Sequence, residues 1–271
     1  MRLTVDHVTT YRYSQPVRSV VQSHRLTPSV HEGQKSLDWD VLVSDGVPGG
    51  SYRDGAGDRV QGWTVAGPVT AITVSVRGTV ETEDTSGVLR GYRESVAPSA
   101  YLRETESTAL GAGLRDLVAG IAAADRLELA HALADAVAGA IAYRPGVTHA
   151  HTTAAEALTL GEGVCQDHAH VLIACARVHA IPARYVSGYL SATEDGAPHE
   201  AAHAWAELHV PGLGWVGFDA ANRCCPDDRY IRLGSGSDAR AAAPIRGIAR
   251  GLTSAAPEAL DVVVAVLASE Q

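Results

Sequence analysis

The chain reads GEGVCQDHA over residues 161–169, a glycine-rich turn that opens an apolar run over residues 171–181. This apolar run predicts a buried helix, with Cys165 at its start. Unpaired backbone N–H groups and the positive end of the helix dipole stabilise a thiolate there, and the thiolate is the nucleophilic form of cysteine. Cys165 is therefore a candidate nucleophile. The alternative is a small buried hydrophobic residue, which is a common role for cysteine.

Two predicted strands downstream of the helix supply partners for such a thiol. Residues 202–210 alternate small or apolar residues with polar or aromatic ones, residues 211–214 carry a turn signal, and residues 215–219 complete a hairpin. His203 lies on the first strand and Asp219 ends the second. A thiol, an imidazole base and a carboxylate that orients the base make up an activated-cysteine site. Each residue alone also has a structural reading, as a satisfied strand histidine and as a turn aspartate.

If His203 and Asp219 belong to one site, the two strands of this hairpin must pair in a register that places both side chains on the same face. Directly opposed residues of paired antiparallel strands share one face of the sheet, and a slip of one residue inverts every side chain. If Leu208 faces Gly214, His203 lies directly opposite Asp219. We therefore predict a five-residue connection over residues 209–213, or an equivalent bulge.

Three short segments resemble the core motifs of the transglutaminase-like superfamily, and above all those of bacterial transglutaminase-like cysteine peptidases. They are Cys165-Gln166-Asp167, His203-Ala204-Trp205 and residues 214–219. The likeness is strongest over residues 152–222. It implies that Cys165 is the nucleophile, His203 the general base and acid, and Asp219 the carboxylate that orients the histidine.

The order of predicted elements indicates an α+β protein, because helices precede strands in the region around Cys165. Residues 1–85 are predicted to form an antiparallel, sandwich-like domain, residues 86–106 a linker, and residues 107–271 the core. The resemblance implies a papain-like core, in which the nucleophile helix packs on an antiparallel sheet, preceded by a β-rich domain.

The individual elements follow from local patterns. Candidate strands span residues 3–13, 17–26, 36–43, 59–65 and 69–83 in the first domain, and 183–190, 202–210, 215–220, 230–233 and 259–268 in the core. Candidate helices span residues 107–123 and 125–142, and a short helix begins near residue 153 with Thr152 or Thr153 as its N-cap. Pro182 ends the Cys165 helix.

Four further residues are candidates for the substrate pocket or its support: Gln166, Asp167, Tyr189 and Trp205. Asp167 complements the helix dipole from the first turn. Trp205 shares the strand face of His203 and could wall the site, while Tyr189 is a candidate rim residue. The polar segment 191–200 is predicted to be a flexible loop that gates access to His203.

The composition of the chain indicates which kinds of binding partner and which cellular location to expect. The formal net charge is −9 and no basic cluster is present, which argues against nucleic-acid binding. No secretory leader and no apolar stretch of membrane-spanning length is apparent, so a cytoplasmic protein with four reduced cysteines is expected. Neither a CxxC nor an HExxH motif accompanies the histidines, and no calcium-binding loop is seen, so no metal or cofactor is predicted.

Three functions remain open on these residues. The first is hydrolysis of amide bonds in peptides through an acyl-enzyme on Cys165, and the second is transfer of the same acyl group to an amine. The third is a non-catalytic binding module that keeps the fold. The backbone N–H of Cys165 is the first expected donor to the tetrahedral oxyanion, and sequence does not identify the second.

Overall fold

The structure of the protein is a computed structural model that describes residues 1–191, 202–251 and 259–268. Its longer strands are β1 (Arg2–His24), β2 (Gln34–Val43), β3 (Gly46–Arg53), β4 (Arg59–Thr82), β7 (Ala183–Leu190), β8 (Ala202–Val210), β9 (Gly214–Phe218), β10 (Tyr230–Gly236), β11 (Ile245–Arg250) and β12 (Ala259–Ala268), with short β5 (Ala142–Tyr143) and β6 (Glu162–Gly163) between the helices. The α-helices are α1 (Ala112–Val118), α2 (Arg126–Ala140), α3 (Ala154–Leu160) and α4 (Cys165–Val178).

The first sheet is built around two long antiparallel strands, β1 and β4. The pairing of β1 with β4 is irregular between Arg12 and Ser19. This irregularity divides the sheet into two halves, and both strands run through each half. One half has the order β12-β1-β4-β2, and the other has β11-β1-β4-β3. Residues of both halves, such as Val5 and Val65, belong to one hydrophobic core. The predicted β-rich, sandwich-like region is thus confirmed.

Strand β3 was not predicted, because its sequence begins Gly-Val-Pro-Gly-Gly and reads as a turn. It pairs with β4 alone, and the pairing is irregular between Pro48 and Ser51. Proline and glycine are tolerated on such an edge strand, since its outer backbone groups need no partner within the sheet. Residues 46–50 thus have the composition of a turn but form part of an edge strand.

The second sheet has the antiparallel order β10-β7-β8-β9 and carries α4 on one face. Helix α4 is buried almost all round, as its apolar sequence predicts, and it packs on Ala204, Ala206 and Leu208 of β8. The predicted helix over residues 107–123 is shorter in the structure, where α1 covers only seven residues. Gly111, Gly113 and Gly120 in this segment weaken a helix through their backbone entropy. The α+β class, with the Cys165 helix packed on an antiparallel sheet, is confirmed.

The last described strands return to the first sheet. Both β11 and β12 pair with β1, at its C-terminal and N-terminal halves respectively. The range predicted as the core, residues 107–271, is therefore divided between the two sheets. The boundaries predicted near residues 85 and 107 stay predictions.

The β8–β9 hairpin has a tighter connection than expected. Val210 pairs with Gly214 and Leu208 pairs with Val216, which leaves a three-residue turn instead of five residues. Gly212 and Gly214 adopt φ values of +85° and +84°, a left-handed backbone that glycine enters without steric cost and that closes the short turn. The predicted register was thus wrong by two residues. A shift of two preserves the face of each side chain, because strand side chains alternate with a period of two.

Candidate active site

Cys165 is the first residue of α4, directly after the glycine-rich turn. Gly161 caps the preceding helix with φ +70°, and Val164 is the extended residue before α4. The backbone N–H of a first helical residue has no acceptor within its own helix. Cys165 itself is partly exposed and lines an open cleft.

Asp167 organises this helix start from inside. Its Oδ2 accepts hydrogen bonds from the Val164 N–H at 2.8 Å and from the Thr148 hydroxyl at 2.7 Å. A Cβ on Gly163 would lie 2.7 Å from the Asp167 side chain, so glycine is needed for the close approach. Asp167 thus caps the start of the helix that carries Cys165. Its support of the site stays a prediction.

His203 and Asp219 lie on one face of the β8–β9 pair and make direct contact. The Nε2 atom of His203 donates to Oδ2 of Asp219 over 2.6 Å, and both residues are buried. Burial lowers the pKa of His203, but hydrogen bonds to Asp219 and Cys165 and the charges of both outweigh this effect and raise the pKa to about 10. Because Nε2 faces Asp219, Nδ1 is the ring nitrogen left for the thiol of Cys165.

Two residues that sequence reasoning missed complete the surroundings of Asp219. Its Oδ2 also accepts from the Asn222 amide at 2.7 Å and from the Tyr230 hydroxyl at 2.8 Å. Burial raises the pKa of Asp219, but the hydrogen bond and charge of His203 and the bonds from Asn222 and Tyr230 outweigh it, so the pKa lies below its ordinary value. The Asp-x-x-Asn spacing after β9 was a turn signal that could have suggested Asn222. No local pattern marks Tyr230.

Aromatic rings form the wall behind the imidazole. Trp205 stacks on His203 with ring centroids 6.5 Å apart, and Tyr230 meets Trp205 edge-on at 5.5 Å. Gly188 lies opposite His203 on β7, and a Cβ there would come within 2.6 Å of Trp205 and 2.2 Å of the Ile231 carbonyl oxygen. Trp205 thus packs behind His203 and does not line the cleft over Cys165 and His203, so its role as a wall of the site stays a prediction.

A cleft of about 660 Å³ opens over Cys165 and His203. Gln166 lines it, with its Nε2 atom 3.5 Å from the carbonyl oxygens of His149 and Ala150. Tyr185 and Ser187 of β7 also line the cleft. Among the residues that the structure describes, no cluster of three or more His, Cys, Asp or Glu side chains could hold a metal ion.

Tyr189 does not line this cleft, which corrects its assignment as a rim residue. Its side chain is fully buried in the core of the first sheet, and its hydroxyl bonds to Nδ1 of His7 at 2.7 Å. Strand β7 extends past the cleft to the contact with the first sheet, and Tyr189 lies in that part. Of the predicted gating loop, residues 192–200 lie outside the described residues.

Comparisons with known proteins agree with this architecture. Residues 115–220 match the transglutaminase-like superfamily, and residues 3–81 match the bacterial transglutaminase-like N-terminal region. An uncharacterized protein of Mycobacterium leprae is 30% identical over 293 residues, which cover 98% of this chain and 98% of that protein. An uncharacterized protein of Mycobacterium tuberculosis strain H37Rv is 30% identical over 296 residues, covering 99% and 93% of the two chains.

A similar fold occurs in a solved structure. The crystal structure of the "Putative Cysteine Protease" from Cytophaga hutchinsonii has a TM-score of 0.73 with 22% identity, over 100% of this chain and 92% of that one. In the described part of the present chain, no helix combines the length and the apolar character needed to cross a membrane.

Proposed function

The chain belongs to the transglutaminase-like superfamily, and on this premise we propose that it is a thiol hydrolase of amide bonds in peptides, isopeptides or proteins. Cys165 is the nucleophile in this proposal, His203 the base and acid, and Asp219 the group that orients and charges the imidazole. The reaction needs neither nucleic acid nor membrane. We place it in the cytoplasm, where its four cysteines would stay reduced.

The observation that carries the proposal is the position of His203 between a carboxylate and a thiol. The 2.6 Å bond to Asp219 fixes the ring on one side, and Cys165 lines the same cleft and raises the pKa of His203 from the other. A cysteine enzyme reacts through a thiolate beside an imidazolium, and a thiol, an imidazole and a carboxylate are the groups that such a reaction uses. The raised pKa of His203 keeps the ring protonated at neutral pH.

The proposed reaction has two halves. The Cys165 thiolate attacks the amide carbonyl carbon and forms a tetrahedral oxyanion, which collapses to a thioester as the C–N bond breaks. His203 gives its proton to the leaving amine. The neutral imidazole then takes a proton from water, whose oxygen attacks the thioester, and the acid leaves as the thiolate reforms beside the imidazolium.

Transfer to an amine is the alternative second half, with the same acyl-enzyme. We favour water because Cys165 is partly exposed in an open cleft of about 660 Å³, which solvent can enter. An amine acceptor would need protection of the thioester from hydrolysis.

The test uses a peptide library with the wild-type protein and Cys165→Ala, in ¹⁸O-labelled water, with and without a primary amine. We expect cleaved peptides whose new carboxyl group carries one ¹⁸O atom, and none with Cys165→Ala. Predominant amine adducts would assign the transferase instead.

Labelling with iodoacetamide separates both enzymes from a binding module. We expect Cys165 to be alkylated much faster than Cys175, which is fully buried and whose pKa burial raises to about 12. Absence of turnover together with equal labelling of the two thiols would overturn the proposal.

A further inference from the structure

Tyr185 is the buried phenol of the catalytic cleft. It lies in the middle of β7, is 6% exposed, and lines the same cleft as Cys165. Its ring packs on His170 of α4 with centroids 5.3 Å apart, so the side chain is held against the helix that carries the thiol.

The hydroxyl of Tyr185 makes no hydrogen bond to any residue in the described ranges. The hydroxyl oxygen keeps some solvent exposure, unlike enclosed atoms such as Oδ1 of Asp167, so it faces the cleft and not the packed interior. Two polar neighbours in the cleft are already engaged, since the Ser187 hydroxyl donates to the Ala242 carbonyl oxygen at 2.9 Å and the Gln166 amide faces two carbonyl oxygens. The free donor of Tyr185 is therefore available to a ligand in the cleft.

We infer that Tyr185 is a catalytic residue, whose hydroxyl donates the second hydrogen bond to the tetrahedral oxyanion formed on Cys165. The first donor is the Cys165 N–H at the start of α4. This inference rests on the proposed function, because it concerns the intermediate of that reaction.

The chemistry of a phenol suits this role. Burial raises the pKa of Tyr185 well above its usual value, and the nearby Cys165 and Asp167 raise it further, so the hydroxyl keeps its proton at neutral pH. During attack the carbonyl π electrons move to oxygen, and the hydrogen bond from Tyr185 strengthens without proton transfer. When the intermediate collapses, the electrons return to the carbonyl and the donor is unchanged. A donor aimed at charge that develops only in the transition state accelerates the chemical step.

The alternative role for the same hydroxyl is a hydrogen bond to the thiolate of the free enzyme. Two reactions of the thiolate distinguish this role from oxyanion stabilisation. Acylation by p-nitrophenyl acetate passes through a tetrahedral oxyanion, whereas alkylation by iodoacetamide displaces iodide from a saturated carbon and forms none.

The experiment measures both rates for the wild type, Tyr185→Phe, Tyr189→Phe and Cys165→Ala. We expect Tyr185→Phe to slow acylation about 100-fold, which is the usual effect of removing one oxyanion donor, and to leave alkylation unchanged. Tyr189→Phe loses the same atom from the same strand outside the cleft, so its acylation rate should equal that of the wild type. The thermal unfolding of Tyr185→Phe should match the wild type, because the lost hydroxyl has no described partner.

Each other outcome has a definite meaning. Unchanged acylation by Tyr185→Phe, or an equal fall in acylation and alkylation, would overturn the role of Tyr185 and leave the proposed function standing. If the wild type shows no acylation beyond that of Cys165→Ala, the proposed function fails and this inference fails with it.

Discussion

At the scale of single residues, the Asp219 carboxylate accepts more hydrogen bonds than any other described side chain of the site. One of its oxygens accepts from His203, Asn222 and Tyr230, while the other accepts from the backbone N–H groups of Ala221 and Asn222. Five donors hold the carboxylate in its charged form and in one orientation. The position of the imidazole and its charge therefore depend on Asp219, which does not line the cleft.

Replacing Asp219 with asparagine should change the pH dependence of the reaction as well as its rate. The buried imidazole would lose the charge that raises its pKa, so the pKa of His203 should fall from about 10. Loss of the imidazolium limits activity at high pH, and the alkaline limb of kcat/KM should move to lower pH. The rate should drop by up to about 10⁴-fold, as in a triad that loses its carboxylate.

The measurement is kcat/KM against pH with an activated ester. Asp261→Asn is the matched control, because Asp261 pairs with Arg12 on the exposed surface of β12. An alkaline limb that stays in place in Asp219→Asn would remove Asp219 from its proposed role.

At the scale of elements, the start of α4 is held by a side chain from within the helix. Asp167 satisfies the Val164 N–H and the Thr148 hydroxyl, so the turn that presents Cys165 depends on it. Helix α2 offers a cap without a catalytic role, since Asp125 accepts from the N–H groups of Leu127 and Glu128, each at 2.9 Å.

These two caps allow a paired prediction. Asp167→Ala and Asp125→Ala should each lower the free energy of unfolding by about 1–2 kcal/mol, measured by urea denaturation. Only Asp167→Ala should also slow the alkylation of Cys165, because only that cap orders the turn before the thiol. Equal alkylation rates for the two variants would show that the thiol does not depend on its cap.

At the scale of the whole molecule, buried charges join the two sheets. Arg232 of β10 pairs with Glu207 of β8 at 2.8 Å and with Asp58 of the first sheet region at 2.9 Å. Glu207 also pairs with Arg184, which lies 4.1 Å over the Trp215 ring. The face of β8 that carries His203 and Trp205 thus continues into a charge network that reaches the N-terminal region.

Removal of Arg232 should therefore destabilise the protein strongly. Arg232→Met leaves the buried Asp58 without its cation, and breaking a buried pair in this way costs about 3–5 kcal/mol of unfolding free energy. Arg77→Met is the matched control, because its pair with Asp6 is exposed and should contribute less than about 1 kcal/mol. Similar losses in the two variants, measured by urea denaturation, would contradict the linking role of the network.

Local sequence predicted much of the fold. Strands β7, β8 and β12 have the predicted bounds, α2 begins after Asp125, and α4 begins at Cys165. The family, the α+β class and the β-rich N-terminal region are confirmed. Periodicity and caps act within a few residues of the chain, so they can be read without knowledge of the partners of an element. The edge strand β3 was missed because its tolerance of glycine and proline comes from its place in the sheet.

The sequence by itself singled out Cys165, His203 and Asp219, because each lies in a local pattern that suits its chemistry. Only the tertiary structure decided which side chains surround them. Asn222 and Tyr230 reach Asp219, Tyr185 enters the cleft, and Tyr189, on the same strand, belongs to another core. Such neighbours arise from the pairing of distant strands and from their register. The β8–β9 register differs from the expected one by two residues, so each side chain stays on its expected face of the sheet but lies opposite a different residue. No local sequence pattern specifies this register.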